Sequence, residues 1–476
     1  MTDPLLLLSA TEVLKKYRDG SLSPVEVAKA CLQQIGSKNP LYNAFVVLKD
    51  EKSLLAEAQE SESRWRAGTP SGSLDGLPIT IKDETDVIGW PTTMGSLVHS
   101  PNPAMADSPC VTRLRQSGAL FLGKTTLPEF GHKGVTDSKV SGVTRNPWNP
   151  TKTPGGSSGG AAVAAATRMG FLHLGSDGGG SIRIPASFSG IFGIKPSNGT
   201  VSEGIPGPFA TIFSLGPMAR TVEDAALMLD VITEPDPINW NAPPHQKCQS
   251  HAKLTDLPDQ LKVAYVPSFN NIPVDPEVSD LVAKAARAMS TIATVEEINL
   301  DLPELVDVFN THWMVIANWL KNKMPTSVHD KLDPYLLSFA ERGSQISTTE
   351  YVNAEISRMM IGRKIKSLFI DYDLILMPTM AMTAFDVGLN VANNQSGMPW
   401  DDWTPFTFIG NLTKCPASSV PCGLSQADLP IGVQLIGDYL QDEKVMQASH
   451  ALEKLIGFED FLTREHNQNA ARKAVA

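Results

Sequence analysis

Two glycine–serine clusters constrain this chain more than any other feature. Gly155-Gly-Ser-Ser-Gly-Gly160 and Gly178-Gly-Gly-Ser181 lie on either side of an alanine run, Ala161-Ala-Val-Ala-Ala-Ala166. Glycine loses the most backbone entropy on folding, so such density is kept where backbones turn sharply or come close. A helix built on the alanine run has no bulk and can pack against its neighbours at short range. Residues 131–160 are dominated by Gly, Ser, Pro, Asn and Thr, with no regular period. Irregular stretches of that length inside an enzyme are usually functional.

Elsewhere the pattern alternates between helix and strand, as in α/β proteins. Ser9-Ala-Thr-Glu12 and Ser23-Pro-Val-Glu26 read as capping boxes opening helices within 9–35, and a third helix is expected over 50–67. Leu77-Pro-Ile-Thr-Ile81 predicts a strand that delivers Lys82 inward. Further strands are expected at 119–122, 171–174, 262–266, 374–377, 418–421 and 431–436. Residues 304–370 read as mostly helical, 442–455 as the last helix, and the Trp-rich stretch from 378 to about 412 as irregular. The composition, 42% hydrophobic and 19% charged over 476 residues, supports a large core. A net charge of −11 argues against broad nucleic-acid binding.

No run of 18 apolar residues occurs, and the Leu5–Leu8 run lacks a basic flank, so neither a membrane span nor a secretory leader is expected. Five scattered cysteines without a Cys-x-x-Cys pair read as free thiols of a cytoplasmic protein. Without a His-Glu-x-x-His pattern, neither a metal nor another cofactor is expected. His132 and His173 read as hydrogen-bonded structural side chains, and Cys422 as core.

The glycine clusters admit several chemistries. A phosphate loop requires Lys-Ser/Thr after the last glycine, where Ala161 stands, and no Gly-x-Gly-x-x-Gly register is present. Gly155-Gly-Ser-Ser-Gly159 matches the nucleophile elbow of an esterase, with Ser157 as nucleophile and a late histidine such as His450 as base. That elbow needs a buried strand before it, and Asn149-Pro-Thr-Lys-Thr-Pro154 cannot be one. A serine–lysine arrangement is the third reading. Lysine, with a reference pKa of about 10.4, becomes a base only when burial lowers it. Lys82 is placed for that.

Gly155–Gly160, Gly175-Ser-Asp-Gly-Gly-Gly-Ser-Ile-Arg-Ile-Pro185 and Gly190-Ile-Phe-Gly-Ile-Lys-Pro-Ser197 together resemble the amidase signature family. The likeness extends to Gly76-Leu-Pro-Ile-Thr-Ile-Lys-Asp83, Thr144-Arg-Asn-Pro-Trp-Asn149, Ser419-Val-Pro-Cys-Gly423 and Pro430-Ile-Gly-Val-Gln-Leu-Ile-Gly437. It implies one amidase-signature domain over 1–476 with an α/β fold, a large mixed sheet flanked by helices on both faces. Within it, 66–230 would be the catalytic core, 233–410 a variable region that sets substrate, and 411–476 a return to the core.

The resemblance also implies a Ser-Ser-Lys triad. Ser181 would be the nucleophile, Ser157 the bridging serine on a cis peptide with Gly156 as its flexible neighbour, and Lys82 the base. Backbone amides of Gly178, Gly179, Gly180 and Ser181 would form the oxyanion hole, with Asp177, Arg183 and Ser158 in support. Gly178 stands where most relatives carry a larger residue, which implies a looser loop. Phe130, Gly131, Trp319 and Phe406 are the candidate substrate contacts. Trp313, Met314, Met398, Trp400, Trp403 and Phe408 add apolar bulk, and the stretch 400–408 is expected to wall a cleft beside Ser181. The expected activity is hydrolysis of aryl or hydrophobic small-molecule amides through an acyl-enzyme, with esters and carbamates (a urethanase activity) as side substrates. A monomer or homodimer acting without nucleic acid or membrane is expected. The same family contains the A-type component of glutamyl-tRNA(Gln) amidotransferase, an alternative reading. Gly204-Ile-Pro-Gly-Pro-Phe-Ala-Thr-Ile-Phe-Ser-Leu-Gly-Pro217 lacks the Tyr-Ala-Ser-Ser-Leu-Asp-Gln pattern associated with that component.

Overall fold

The expected strands assemble edge to edge across almost the whole chain. A computed structural model describes residues 3–99, 102–204, 207–244, 247–392, 403–461 and 463–465. Its early strands are β1 (Phe45–Leu48), β2 (Pro78–Lys82) and β3 (Leu120–Thr125), followed by a two-residue ribbon of β4 (Asp137–Ser138) and β5 (Gly142–Val143). Next come β6 (Leu172–Asp177), β7 (Phe192–Lys195), β8 (Ser214–Ala219), β9 (Lys262–Tyr265) and β10 (Thr294–Glu297). The last are β11 (Leu374–Pro378), β12 (Ala417–Leu424) and β13 (Pro430–Gly437). Eleven of these form one mixed sheet in the order β1-β3-β2-β6-β8-β7-β12-β13-β11-β9-β10. β2 runs parallel to both β3 and β6, whereas β8, β7, β12, β13 and β11 pair antiparallel in turn.

The sheet is apolar on both faces, and alternate residues divide between two cores. On β11, Leu374 and Leu376 enter one core while Ile375 and Met377 enter the other. On β9, Val263 and Tyr265 are separated from Ala264 in the same way. Continuous apolar runs of this kind fit strands covered on both sides. Helices Ala10–Arg18, Pro24–Tyr42, Val222–Ile232, Pro276–Met289 and Asp442–Ile456 contribute to the first core. Helices Leu305–Lys323, Pro334–Ser344 and Thr348–Leu368 contribute to the second. Both expected capping boxes form: Ser9 with Glu12, and Ser23 with Glu26.

Two expectations are corrected. Pro405–Leu412 is a helix, not irregular chain, and all eight of its residues are buried. Pro405 and Gly410 within eight residues read as loop signals, and the polar Thr407 and Asn411, one turn apart, are buried in hydrogen bonds to Gly179 O and Asp177. β6 runs three residues beyond the expected Leu174, to Asp177. Met398 and Trp400, expected to add apolar bulk, lie outside the described residues.

Candidate active site

Neighbouring parallel strands bring the candidate residues to one end of the sheet. Lys82 ends β2 and Asp177 ends β6, so the loops that follow them emerge side by side at the carboxyl ends. This is the edge where open α/β sheets place ligands. The alanine helix, Gly159–Ala166, is held close beneath them. A Cβ at Gly159 would lie 2.3 Å from Thr136 Oγ1, and one at Gly160 2.4 Å from Thr126 Oγ1.

Lys82 is completely buried. Its Nζ donates to Ser157 Oγ at 2.7 Å and to Ser176 Oγ at 2.7 Å, and lies 3.5 Å from Glu84 Oε1. Burial lowers the Lys82 pKa below its usual range, opposed by the charges of Glu84 and Asp177. Exposure rises from 0% at Lys82 to 2% at Ser157 and 7% at Ser181. Ser181 is thus the least buried of the three. Sequence reasoning misses Ser176 and Glu84. Ser176 stands inside what reads as a glycine cluster but is in fact strand, and Glu84 follows the strand in a polar turn.

The Gly156–Ser157 peptide bond is cis. Flexibility is not what Gly156 supplies: a Cβ there would lie 2.5 Å from Val135 O, so the position requires a close backbone approach. Ser158 turns away from Lys82. Its Oγ donates to Ser176 O at 3.1 Å and accepts from Ser176 N at 3.2 Å, while its own N–H donates to Ser181 O at 3.1 Å. These bonds tie the two glycine clusters together.

Asp177 and Arg183 anchor the loop between them. The buried guanidinium donates from Nε to Asp177 Oδ2 at 2.9 Å and from Nη2 to Asp177 Oδ1 at 2.8 Å. Its other bonds reach Thr407 O, Gln434 Oε1 and Asn411 Oδ1. Burial alone would raise the Asp177 carboxyl, but Arg183, Lys195 and Asn411 outweigh it and hold the pKa at about 2. The Gly180 N–H donates to Asp177 Oδ1 at 2.7 Å, which removes it from the expected oxyanion donors. Among the described residues, the N–H groups of Gly178, Gly179 and Ser181 remain without a hydrogen-bond partner.

A cavity of about 170 Å³ opens beside this group, lined by Met94, Phe130, Phe209, Phe213, Leu215 and Leu320 with Glu84 and Glu203. That size suits about one aromatic ring. Neither serine lines it, but two of its residues, Phe130 and Phe209, adjoin the glycines beside them. Gly131, next to Phe130, would place a Cβ 3.3 Å from Ser157 Oγ, and Gly178 would place one 3.8 Å from Phe209. A larger groove of about 640 Å³, lined by Tyr17, Glu26 and Trp65, contains none of the candidate residues.

The aromatic candidates are only partly brought to the cavity. Trp319 points to solvent, 44% exposed, with Lys323 Nζ 5.2 Å from its ring centroid. Phe406 is fully buried edge-on against Phe269, at 5.1 Å. Trp403 stacks on Phe188 and Phe408 on Phe309. This segment backs the glycine loop and does not wall a cleft: Thr407 Oγ1, between the rings, donates to Gly179 O at 2.7 Å. Trp313 and Phe309 approach the loop, 3.4 Å from a Cβ built on Gly178 and 2.4 Å from one built on Gly179.

The histidines do other work. His132 packs against Trp313 and Phe339, and neither ring nitrogen has a hydrogen-bond partner among the described residues. Burial lowers its pKa to about 3, so the ring is neutral, contrary to the expected hydrogen-bonded role. His173 Nδ1 meets Thr80 Oγ1 at 2.8 Å. His450, the base of the esterase reading, lies 3.8 Å from Glu453 on its own helix, whereas Ser157 is bonded to Lys82.

The Amidase family model matches residues 26–446. An acylamidase of Rhodococcus erythropolis is 33% identical over 462 residues, covering 93% of this chain and 94% of the relative. The A component of a glutamyl-tRNA(Gln) amidotransferase of Alkaliphilus metalliredigens is 29% identical over 481 residues, covering 94% and 96%. The crystal structure of a bacterial aryl acylamidase of the amidase signature family superposes with a TM-score of 0.87 at 28% identity, covering 96% of this chain and 97% of that one. The chain belongs to the amidase signature family. It is a hydrolase acting on amide C–N bonds.

Proposed function

We propose that the chain hydrolyses neutral aryl or hydrophobic small-molecule amides through an acyl-enzyme on Ser181. Neutral Lys82 takes a proton from Ser157, and Ser157 takes one from Ser181, whose Oγ attacks the carbonyl carbon. The oxyanion is held by the N–H groups of Gly178, Gly179 and Ser181. The relay then runs in reverse to protonate the leaving amine, and water releases the acid by the same path. One observation carries the reading: a fully buried Lys82 bonded to Ser157 beside a mostly apolar cavity. The same attack geometry accepts esters and carbamates as side substrates.

The amidotransferase components among the relatives bring a second reading, a chain acting in a complex on tRNA-linked glutamate. The net charge of −11 and the small apolar cavity favour a small molecule. A panel of anilides, alkyl amides, glutamine, asparagine and urea derivatives tests the choice. Preferred turnover of anilides or hydrophobic amides is expected. Preference for glutamine or asparagine would overturn it.

A further inference from the structure

The cavity beside Lys82 has apolar walls, yet both charged side chains that line it are acids. Glu84 and Glu203 face it, and no lysine, arginine or histidine occurs among its described lining residues. The two carboxyls come from segments far apart in sequence and are brought to one wall by the fold. Glu84 is nine-tenths buried, and its Oε1 makes no hydrogen bond among the described residues. The nearest cation, Lys82 Nζ, is 3.5 Å away and directs its short hydrogen bonds to Ser157 and Ser176. Oε1 is thus buried behind the cavity wall and paired with Lys82, and the carboxylate charge stands at the wall with little water to screen it.

We propose that this cavity is a charge-selective subsite, with Glu203 as a specificity-determining residue. It admits amide substituents that are neutral or carry an ammonium group, and it rejects carboxylates. The inference rests on the amidase reading above. An entering carboxylate would be desolvated beside Glu84 and repelled by it, and like charges placed together in such a site strongly disfavour binding. An ammonium group would instead be attracted by the Glu84 carboxylate. Burial, reinforced by the charge of Glu84, pushes the Glu203 carboxyl up to about 8. At neutral pH Glu203 therefore offers an O–H donor, and at higher pH it adds a second negative charge.

The test uses the full chain and two series of matched amides, one substituted on the acyl side and one on the amine side. Each series carries methyl, aminomethyl or carboxyl at the same position. In at least one series kcat/KM for the carboxyl member is expected to fall tenfold or more below the methyl member. A smaller penalty in both series would overturn the proposal. At pH 9 Glu203→Gln is expected to shrink the penalty at least threefold, and an unchanged penalty would remove Glu203 from its role. The wild-type penalty is also expected to widen between pH 7 and 9. The charges of Lys82, Glu84, Asp83 and Lys124 act on the carboxyl member and hardly on the methyl member, so the widening is read as the difference between the wild type and Glu203→Gln. A penalty flat across that range would count against the proposal even if the variant fails to fold. Turnover of the methyl members tests the amidase reading separately.

Discussion

Glu84 holds its Oε1 3.5 Å from Lys82 Nζ, so the candidate base carries an acidic neighbour as well as a serine. Lys82 can accept a proton only when neutral. Burial favours that form, and the negative charge of Glu84 opposes it. Activity is expected to rise with pH as Lys82 loses its proton, and to be lost at acid pH. Removing the opposing charge in Glu84→Gln lowers the Lys82 pKa further, so the acid limb of the kcat/KM profile is expected to move to lower pH. A limb that stays in place or moves upward would show that Glu84 does not act on Lys82.

Lys82→Ala removes the base and leaves Ser157 without its donor. Turnover is expected to fall by roughly 10²–10⁴-fold while circular dichroism stays that of the folded protein. Near-normal turnover in the folded variant would exclude lysine as base.

The three loop glycines are not equivalent. A Cβ at Gly178 meets Trp313 and Phe209 at 3.4–3.8 Å, ordinary contact distances. One at Gly179 would stand 2.4 Å from the ring of Phe309, which is itself stacked on Phe408. Gly178→Ala is therefore expected to leave the melting temperature nearly unchanged, whereas Gly179→Ala is expected to cost about 1–3 kcal/mol. Equal effects on thermal unfolding would contradict this packing.

Arg183→Met leaves Asp177 buried without its main cationic partner. A loss of about 3–5 kcal/mol is expected at neutral pH. In the folded wild type the Asp177 pKa is held at about 2, below its ordinary 3.8. A depressed carboxyl contributes its stability fully above the ordinary value and loses it as pH falls through the folded one. The gap between variant and wild type is therefore expected to narrow from pH 5 to pH 2. Denaturant midpoints across that range measure it, and a gap that widens toward acid would reverse the assignment.

The sequence carried the chemistry better than the surroundings. Lys82 stood out because the strand pattern delivers it inward and Ser157 because it lies in a glycine cluster, whereas the role expected of Ser181 came from the resemblance to the amidase signature family. The capping boxes of the first two helices were legible as local signals. The helix Pro405–Leu412 was not, since it is only eight residues long and contains Pro405 and Gly410, which read as loop signals. Phe406 and Trp319 read as pocket residues because they are aromatic, and only the direction each faces separates core, solvent and cavity. Gly180 illustrates the same limit: its amide lies in the right loop, but the fold commits it to Asp177. Glu84 and Glu203 are far apart in sequence, and nothing local links them.

The central claim is that Ser181 is the nucleophile, and covalent labelling tests it most directly. The protein would be treated with an alkyl fluorophosphonate, digested and analysed by mass spectrometry. The expected result is one adduct on Ser181, absent in Ser181→Ala and weakened in Ser157→Ala. An adduct on Ser157 or elsewhere, with Ser181 unmodified, would contradict the account.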